Sequence, residues 1–251
     1  MQTIPQAYQA EASCLTERVI LVTGATSGIG ATAAETFASH GATIILLGRK
    51  QRALEQIYDR IEASGAPKPA IIPCNLETAT RQDFQTLAGK IEQEFGQLDG
   101  ILHNAATLGS LTPIEHYSAA EWNKVMQVNL TAPVFLTQAC LKILKKSPDA
   151  SILFTSDSVG RKARAYWGGY SISKFGIESL TQILADELEE NTHIRVNNID
   201  PGAILTRFRK NAYPGETNEA LRHPTELMDD YLYLMGPDSK GVNGVAFTAR
   251  P

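Results

Sequence analysis

Short runs of consecutive apolar residues alternate along this chain with longer stretches in which apolar positions recur at helical spacing. Because the short runs are continuous rather than alternating, they are typical of strands buried on both faces of a parallel sheet. The predicted strands are Val19–Thr23, Thr43–Leu47, Ala70–Pro73, Gly100–His103, Ser151–Thr155, Arg195–Ile199 and Val245–Thr248. The predicted helices are Ile29–Ser39, Gln51–Ala63, Arg81–Phe95, Ala119–Lys145 and Gly168–Glu189.

This alternation of strand and helix implies right-handed crossovers, and so an α/β fold with a doubly wound, seven-stranded, mostly parallel sheet flanked by helices. A polar N-terminal extension covers residues 1–17, and no linker or repeat divides residues 18–251, which we interpret as one Rossmann-type domain. The segment Ala203–Pro224 breaks the rhythm, since it is polar and rich in Arg. It could be an ordinary surface loop, but its place after a late strand favours a lid over a substrate, near 203–224.

Composition narrows the possible partners. Hydrophobic residues make up 43% of the 251 residues, enough for a sizeable core. The formal net charge of −4 disfavours nucleic acid or an anionic membrane as the main partner. The one short basic stretch, Arg161–Arg164, is expected to border a substrate mouth, where it could favour an anionic substrate.

The cysteines and the apolar runs bear on location. Cys14, Cys74 and Cys140 have neither CxxC nor metal-ligand spacing, so reduced thiols and no metal site are expected. The first 15 residues lack the pattern of a secretory signal, and no apolar stretch approaches the ~18 residues of a membrane span. We therefore expect a cytoplasmic protein that does not enter the membrane.

A glycine-rich turn lies between the first strand and the first helix, in the sequence Thr23-Gly24-Ala25-Thr26-Ser27-Gly28-Ile29-Gly30. Gly24 permits a tight turn, Gly28 lets the backbone approach phosphates, and Gly30 allows the helix to pack closely on the sheet. The helix that begins beside Ser27, at Gly28–Ile29, directs its N-terminal dipole at a pyrophosphate. The turn predicts a dinucleotide site, although a purely structural turn is the alternative.

Arg49 follows the second strand, where NAD sites commonly place a carboxylate that binds the ribose 2′-hydroxyl. A guanidinium at this position suits a 2′-phosphate instead. The sequence therefore predicts NADP(H) rather than NAD(H), unless Arg49 is simply a solvated cation after a strand.

Tyr170 and Lys174 are four residues apart on a predicted helix and so share one face. A phenol with a pKa of ~10 is a poor base at neutral pH. A nearby ammonium and an oxidised nicotinamide would both lower the pKa of Tyr170. The pair therefore fits general acid–base chemistry, although by itself such a spacing also occurs on many solvated helix faces.

Taken together, the Thr-Gly-x-x-x-Gly-x-Gly turn, the later Asn-Ala-Ala, the Tyr-x-x-x-Lys pair and a Pro-Gly turn after the sixth strand resemble the short-chain dehydrogenase/reductase superfamily. The resemblance extends from about Arg18 to the C-terminus and fits the single-domain branch. It implies hydride transfer between a nicotinamide and a carbonyl or alcohol substrate. In that chemistry Tyr170 is the acid/base, and Lys174 also holds the ribose hydroxyls. It further suggests a homodimer or homotetramer.

The resemblance assigns further residues to the cofactor site: Asn75, Leu76, Asn104, Ala105, Ala106, Pro201, Gly202, Ile204 and Thr206. Asn75 stands where the family usually has an Asp that contacts the adenine amino group, and its amide oxygen can still accept. Residues 104–106 would line adenine and ribose. The Ile204 backbone and the Thr206 hydroxyl would meet the carboxamide and the diphosphate. Asn129, inside the fourth helix, would lie at a helix irregularity whose water links Lys174 to solvent.

Asp157 is the departure from this pattern. The family's catalytic Ser usually lies thirteen residues before its Tyr, and here that position is Asp157. An ionised carboxylate cannot donate a hydrogen bond to a substrate oxygen. Two alternatives would still supply a donor. Asp157 could be held protonated and donate the bond itself, or a bulge could turn Ser158 inward, since in an extended strand Ser158 points to the opposite face. A second hypothesis follows: a dinucleotide-binding sensor or scaffold with little turnover. A third, a nucleic-acid-binding Rossmann protein, has only the short basic stretch in its favour.

Overall fold

The computed structural model of the protein describes residues 4–250, and within them seven parallel strands form one sheet in the order β3-β2-β1-β4-β5-β6-β7. The strands are β1 Val19–Thr23, β2 Thr43–Gly48, β3 Ala70–Pro73, β4 Gly100–His103, β5 Ala150–Thr155, β6 Ile194–Asp200 and β7 Ala246–Thr248. Each lies at or within a residue of its predicted bounds. The doubly wound α/β prediction is confirmed, and the sheet is parallel throughout.

Helices cover both faces of the sheet. They are α1 Gly28–Ser39, α2 Gln51–Ala63, α3 Arg81–Phe95, α4 Ala119–Met126, α5 Ala132–Leu144, α6 Gly168–Glu189, α7 Arg207–Ala212 and α8 Met228–Met235. The predicted helix over 119–145 is interrupted by a π-helical segment, Gln127–Thr131, which joins α4 to α5. None of the helices among residues 4–250 is both long enough and apolar enough to cross a bilayer.

The order of the strands fixes where a ligand can bind. From β1 the chain continues to β2 on one side, and β4 then returns to the other side of β1. The loops at the carboxyl ends of β1 and β4 therefore diverge and leave a crevice between them, the usual ligand position in such sheets. The strands between the two edges of the sheet are almost entirely buried, whereas the edge strands β3 and β7 are partly exposed. Two apolar clusters fill the space between the sheet and the two helical layers.

The segment proposed as a lid contains more structure than expected. It carries α7 and a short 3-10 turn, Asn218–Ala220, and Ile204 pairs with Arg222 in an isolated parallel bridge. The side chain of Arg222 donates to the Pro201 carbonyl, so the segment is tied back to the end of β6. Its role as a lid stays a prediction. Before β1, Leu15 is fully buried in the core, so the N-terminal extension packs on the domain.

Candidate active site

The glycine turn has the backbone that the sequence predicted. Gly24 and Gly28 adopt φ values of +68° and +56°, a region that side chains other than Gly rarely enter. A Cβ on Gly30 would lie 2.5 Å from both the Gly24 carbonyl oxygen and the Asn104 amide nitrogen. Gly24 and Gly28 thus shape the turn, while Gly30 lets α1 pack against the end of β4.

The first turn of α1 is suited to an anion. Its N-cap residue, Ser27, makes no side-chain cap hydrogen bond, and the first turn contains no acidic residue. The N–H groups and the dipole of α1 therefore face the crevice without a competing carboxylate. Thr23 fixes the loop after β4, on the opposite side of the crevice, because its hydroxyl accepts hydrogen bonds from the backbone N–H groups of Asn104 and Ala105. Sequence reasoning missed this role of Thr23.

The crevice opens into one large cleft of about 820 Å³. Most of the predicted site residues line it: Gly24, Ser27, Gly28, Ile29, Arg49, Leu76, Asn104, Ala105, Ala106, Asp157, Tyr170, Lys174, Pro201, Gly202, Ile204 and Thr206. Segments that are far apart in the chain therefore converge on a single site. Four predicted residues lie outside its lining: Gly30, Asn75, Asn129 and Ser158.

Arg49 lies at the end of the cleft where the adenosine part of the cofactor is expected to bind, and its side chain is largely exposed. Its guanidinium is 3.9 Å from Glu77, a long and solvated pair of small energetic value. Glu77 is closer to Lys124, at 3.1 Å, so two cations share one carboxylate. Arg49 therefore remains available to a phosphate group.

Asn75 does not fit its expected role. Its amide oxygen accepts a hydrogen bond from the backbone N–H of Glu77 at 3.2 Å, and the side chain caps the turn after β3 instead of lining the cleft. Asn is well suited to such turns because its side chain can replace a backbone acceptor. Leu76, by contrast, does line the cleft, as predicted.

Tyr170 and Asp157 are in direct contact at the other end of the cleft. The Tyr170 hydroxyl donates to Asp157 Oδ2 over 3.1 Å. Lys174 is buried one turn further along α6, and its Nζ donates to the Thr155 carbonyl at 2.7 Å while lying 5.5 Å from the centre of the Tyr170 ring. Tyr170 and Lys174 therefore lie close together, as predicted, and Asp157 is in direct contact with Tyr170.

The electrostatics reverse one expectation. Burial, followed by the charge and hydrogen bond of Asp157, holds the pKa of Tyr170 well above its usual value. The sequence predicts a lowered value in the presence of both Lys174 and an oxidised nicotinamide, and Lys174 alone does not produce it. Burial also lowers the pKa of Lys174 to about 8, although nearby Asp157, Glu178 and Asp200 oppose that shift. Without a ligand, Tyr170 is thus a protonated phenol and not a phenolate at neutral pH.

Asn129 acts through its neighbours. It is buried within the π-helical segment, so the predicted helix irregularity is present. Its amide oxygen accepts from the Thr107 N–H at 2.8 Å, and its amide nitrogen donates to the Thr107 carbonyl and to Ser173 Oγ. The side chain therefore ties a cleft-lining loop to α6 and does not itself reach the cleft, which makes Asn129 a positioning residue.

Ser158 cannot replace the expected serine. Its side chain is exposed, lies outside the cleft, and donates to Asp157 Oδ1 at 3.2 Å. The reason is local: Asp157 caps the 3-10 turn Ser158–Gly160 by accepting from the Val159 N–H, so the chain turns outward directly after position 157. The alternative in which a bulge turns Ser158 inward is wrong.

The basic stretch after this turn does not border the cleft. Arg161 points away, forming an ion pair with Glu178 at 3.1 Å and donating to the Phe247 carbonyl and to Asn198. Neither Arg161 nor Arg164 lines the cleft. The expectation that this stretch borders the cleft is therefore wrong, because Arg161 joins β7 to α6, and the stretch gives no support for an anionic substrate.

An aromatic cluster was not predicted. Trp167 and Phe208 both pack on Tyr170, with ring centres 5.8 Å and 5.3 Å away, and Tyr213 packs on Trp167 at 5.6 Å. All four rings line the cleft. Phe208 and Tyr213 belong to the segment 203–224, whose place after a late strand had pointed to the substrate side but not to these aromatic contacts.

Comparisons with known proteins agree with this architecture. The family model for short chain dehydrogenase matches residues 18–217, and the chain belongs to that family of oxidoreductases. It is 44% identical to the uncharacterized oxidoreductase YciK of Escherichia coli K12, covering 97% of this chain and 96% of that one.

Solved structures are similarly close. A short chain dehydrogenase from Pseudomonas syringae is 51% identical and superimposes with a TM-score of 0.96, covering 99% of this chain and 100% of that one. A short chain dehydrogenase from Escherichia coli CFT073, crystallised in complex with NADPH, is 44% identical with a TM-score of 0.93, covering 96% and 100% of the two chains. The close match extends over almost the full length of each protein.

Proposed function

We propose that this protein is an NADP(H)-dependent oxidoreductase that transfers hydride between the nicotinamide and a small carbonyl or alcohol compound, with Tyr170 as the acid/base. The observation that carries this proposal is the convergence of the glycine turn, Tyr170 and Lys174 in one cleft. The NADPH complex of the 44% identical relative supports the choice of cofactor.

The residues present fit such a cofactor. Gly24 and Gly28 form a tight turn at positive φ, in which a Cβ on Gly24 would lie 2.9 Å from the Ala105 Cα, and the uncapped N-terminus of α1 suits a diphosphate. Arg49 would hold the 2′-phosphate, because a guanidinium matches phosphate oxygens in charge and geometry. When bound, the nicotinamide supplies or accepts the hydride.

The protein's own residues handle the proton. Because burial and Asp157 hold the pKa of Tyr170 above its usual value, its hydroxyl carries the proton that reduction delivers to the substrate oxygen, although the same field makes it a weaker acid. Lys174, fixed by the Thr155 carbonyl, stabilises the phenolate that this donation leaves behind. The same electrostatics oppose alcohol oxidation, which requires a deprotonated Tyr170 at the outset, so we propose reduction as the favoured direction.

A fluorescence titration with NADPH and NADH, followed by a panel of ketones and aldehydes, tests the proposal. Saturable NADPH binding at lower concentration than NADH, with NADPH consumption on at least one carbonyl compound, is the expected result. Tight NADPH binding without turnover across the panel would instead favour the sensor or scaffold. The contact between Tyr170 and Asp157 is the observation in favour of that second candidate, because it occupies the proton donor.

A further inference from the structure

Asp157 presents an unpaired negative charge to the cleft. Its Oδ1 accepts from the Val159 N–H and from Ser158, whereas its Oδ2 accepts only from Tyr170. A carboxylate oxygen can accept more than one hydrogen bond, so Oδ2 retains capacity toward the cleft. Within residues 4–250, no Lys, Arg or His forms an ion pair with Asp157.

Lys174 and Arg209, the cations whose charges act on Asp157, make their hydrogen bonds to other groups. Lys174 donates to the Thr155 carbonyl. Arg209, which lines the same cleft, forms two 2.7 Å hydrogen bonds with Glu216, and its guanidinium lies 3.8 Å from the centre of the Tyr213 ring. Lys174 and Arg209 therefore act on Asp157 only through space, and Asp157 Oδ2 has no cationic donor in direct contact among residues 4–250.

Aromatic rings enclose this charge. Trp167 and Phe208 flank Tyr170, whose hydroxyl contacts Asp157, and both rings line the cleft. Aromatic faces attract cations, and a carboxylate beside them adds a charged acceptor. Beside Asp157 a neutral ketone meets an acceptor, and the Tyr170 hydroxyl next to it is already engaged with that carboxylate.

We infer that the substrate carries a protonated amine on the carbon next to the reacting carbon, as in an α-amino ketone that is reduced to a vicinal amino alcohol. This inference rests on the proposed function and specifies its substrate class. One ammonium N–H donates to Asp157 Oδ2, and another donates to the substrate's own carbonyl oxygen. The substrate thereby supplies the polarising donor that a carboxylate at position 157 cannot provide.

The reaction balances with the proposed cofactor as reductant. Hydride forms the new C–H bond at the carbonyl carbon, and the π-electron pair of the C=O bond moves to the oxygen. That oxygen takes the proton of Tyr170, which is later restored from solvent. The ammonium also offsets the field of Asp157 on Tyr170, which would otherwise hinder release of the proton.

The test compares isosteric ligands that differ in charge. Calorimetric titrations, with and without NADPH, measure binding of 2-amino-1-phenylethanol and of 1-phenylpropan-1-ol to the wild type, Asp157→Asn and Glu121→Gln. Glu121 is a second carboxylate of the same cleft, held by Ser110, and controls for overall charge. Initial rates of NADPH consumption on phenacylammonium and propiophenone complete the comparison.

The wild type should bind the ammonium compound about 10- to 100-fold more tightly, the range of a charge-assisted hydrogen bond. Asp157→Asn should bring this ratio close to one, and Glu121→Gln should retain most of it. Equal affinities in the wild type, a preference that survives Asp157→Asn, or faster reduction of propiophenone would overturn the inference. Absence of NADPH binding, or of turnover on both ketones, counts against the proposed function instead, and the binding ratios without cofactor still decide the inference.

Discussion

The hydroxyl of Tyr170 donates a hydrogen bond to Oδ2 of Asp157, and this 3.1 Å contact couples the proton donor of the cleft to a carboxylate. A serine at position 157 would place no charge beside the Tyr170 hydroxyl, and the serine hydroxyl could itself donate a hydrogen bond. Here the carboxylate instead accepts from Tyr170 and raises its pKa. The reactivity of the site therefore depends on what neutralises Asp157 when a substrate is bound.

Tyr170→Phe should leave NADPH binding nearly intact and lower turnover by at least ~10²-fold, the usual contribution of general acid–base catalysis. The variant removes only the hydroxyl, so the ring contacts with Trp167 and Phe208 can persist. Steady-state rates and cofactor titrations on the same preparations measure both effects. Unchanged turnover in the variant would exclude Tyr170 as the proton donor.

Asp157→Ser should raise the turnover of a neutral ketone such as propiophenone. The substitution removes the negative charge that raises the pKa of Tyr170, and it adds a hydroxyl that can donate to the carbonyl oxygen. Ser158→Ala serves as the control, since Ser158 lies outside the cleft. If Asp157→Ser were slower than the wild type on the neutral ketone, the carboxyl group would be required for that reaction.

Most strands were predictable because they are runs of apolar residues bounded by polar ones, and burial on both faces demands such runs. The exception is β6, which contains Arg195, Asn197 and Asn198. The helix α8 was missed for a related reason. It has only eight residues and follows a polar, Pro-containing segment, so its pattern is too short to establish a period. Tyr231, at its centre, is nonetheless fully buried in the core. Its contacts come from tertiary packing, which local periodicity does not reveal.

The candidate site likewise has parts that local sequence patterns reveal and parts that only the fold reveals. The glycine turn and the Tyr170–Lys174 spacing are local patterns, and the structure brings both to the cleft. The capping role of Asn75 and the outward turn at Ser158 depend on a few backbone dihedral angles, which residue type alone does not determine. The packing of Phe208 on Tyr170 joins residues 38 positions apart in the chain, and only the fold brings them together.

Arg49→Ala should raise the dissociation constant for NADPH about 10- to 100-fold and leave that for NADH largely unchanged. The loss corresponds to roughly 1.5–3 kcal/mol for one charged hydrogen-bond contact to a phosphate. Arg52→Ala is a matched control, because Arg52 is also an exposed cation near the start of α2 but does not line the cleft. Equal NADPH affinity in the wild type and Arg49→Ala would refute the assignment of Arg49.

Arg195→Met should destabilise the fold by roughly 3 kcal/mol, as expected for the loss of a buried, hydrogen-bonded charge. The Arg195 guanidinium pairs with Asp149 and donates to the carbonyls of Leu234 and Gly236 and to Ser239, so it fixes the end of α8 against β6. Chemical denaturation measures the change. Arg60→Met is the control, because Arg60 pairs with Glu35 on the surface and should matter by well under ~1 kcal/mol. Similar losses in both variants would contradict this role.

The stability contributed by Lys174 should increase with pH. In an unfolded chain the pKa of Lys is ~10.4, and burial lowers the pKa of Lys174 to about 8 in the folded protein. Between these values the unfolded state binds one more proton than the native state, so the free energy of unfolding rises with pH. Relative to Lys174→Met, which cannot titrate, the wild type should gain about 1.4 kcal/mol for each pH unit above ~8.

Denaturation curves of the wild type and Lys174→Met between pH ~7 and ~9.5 measure this difference directly. Lys90→Met, on the exposed face of α3, controls for the exchange of an ammonium for a thioether. Below about pH 8 the buried charge of Lys174 destabilises the fold. The stability of the Met variant relative to the wild type should therefore be highest there, although the variant loses turnover. A stability difference that stays constant as pH rises would mean that Lys174 keeps an ordinary pKa in the folded protein, and one that shrinks would mean that the pKa is raised. The stabilisation of the Tyr170 phenolate would then rest on a permanently charged neighbour.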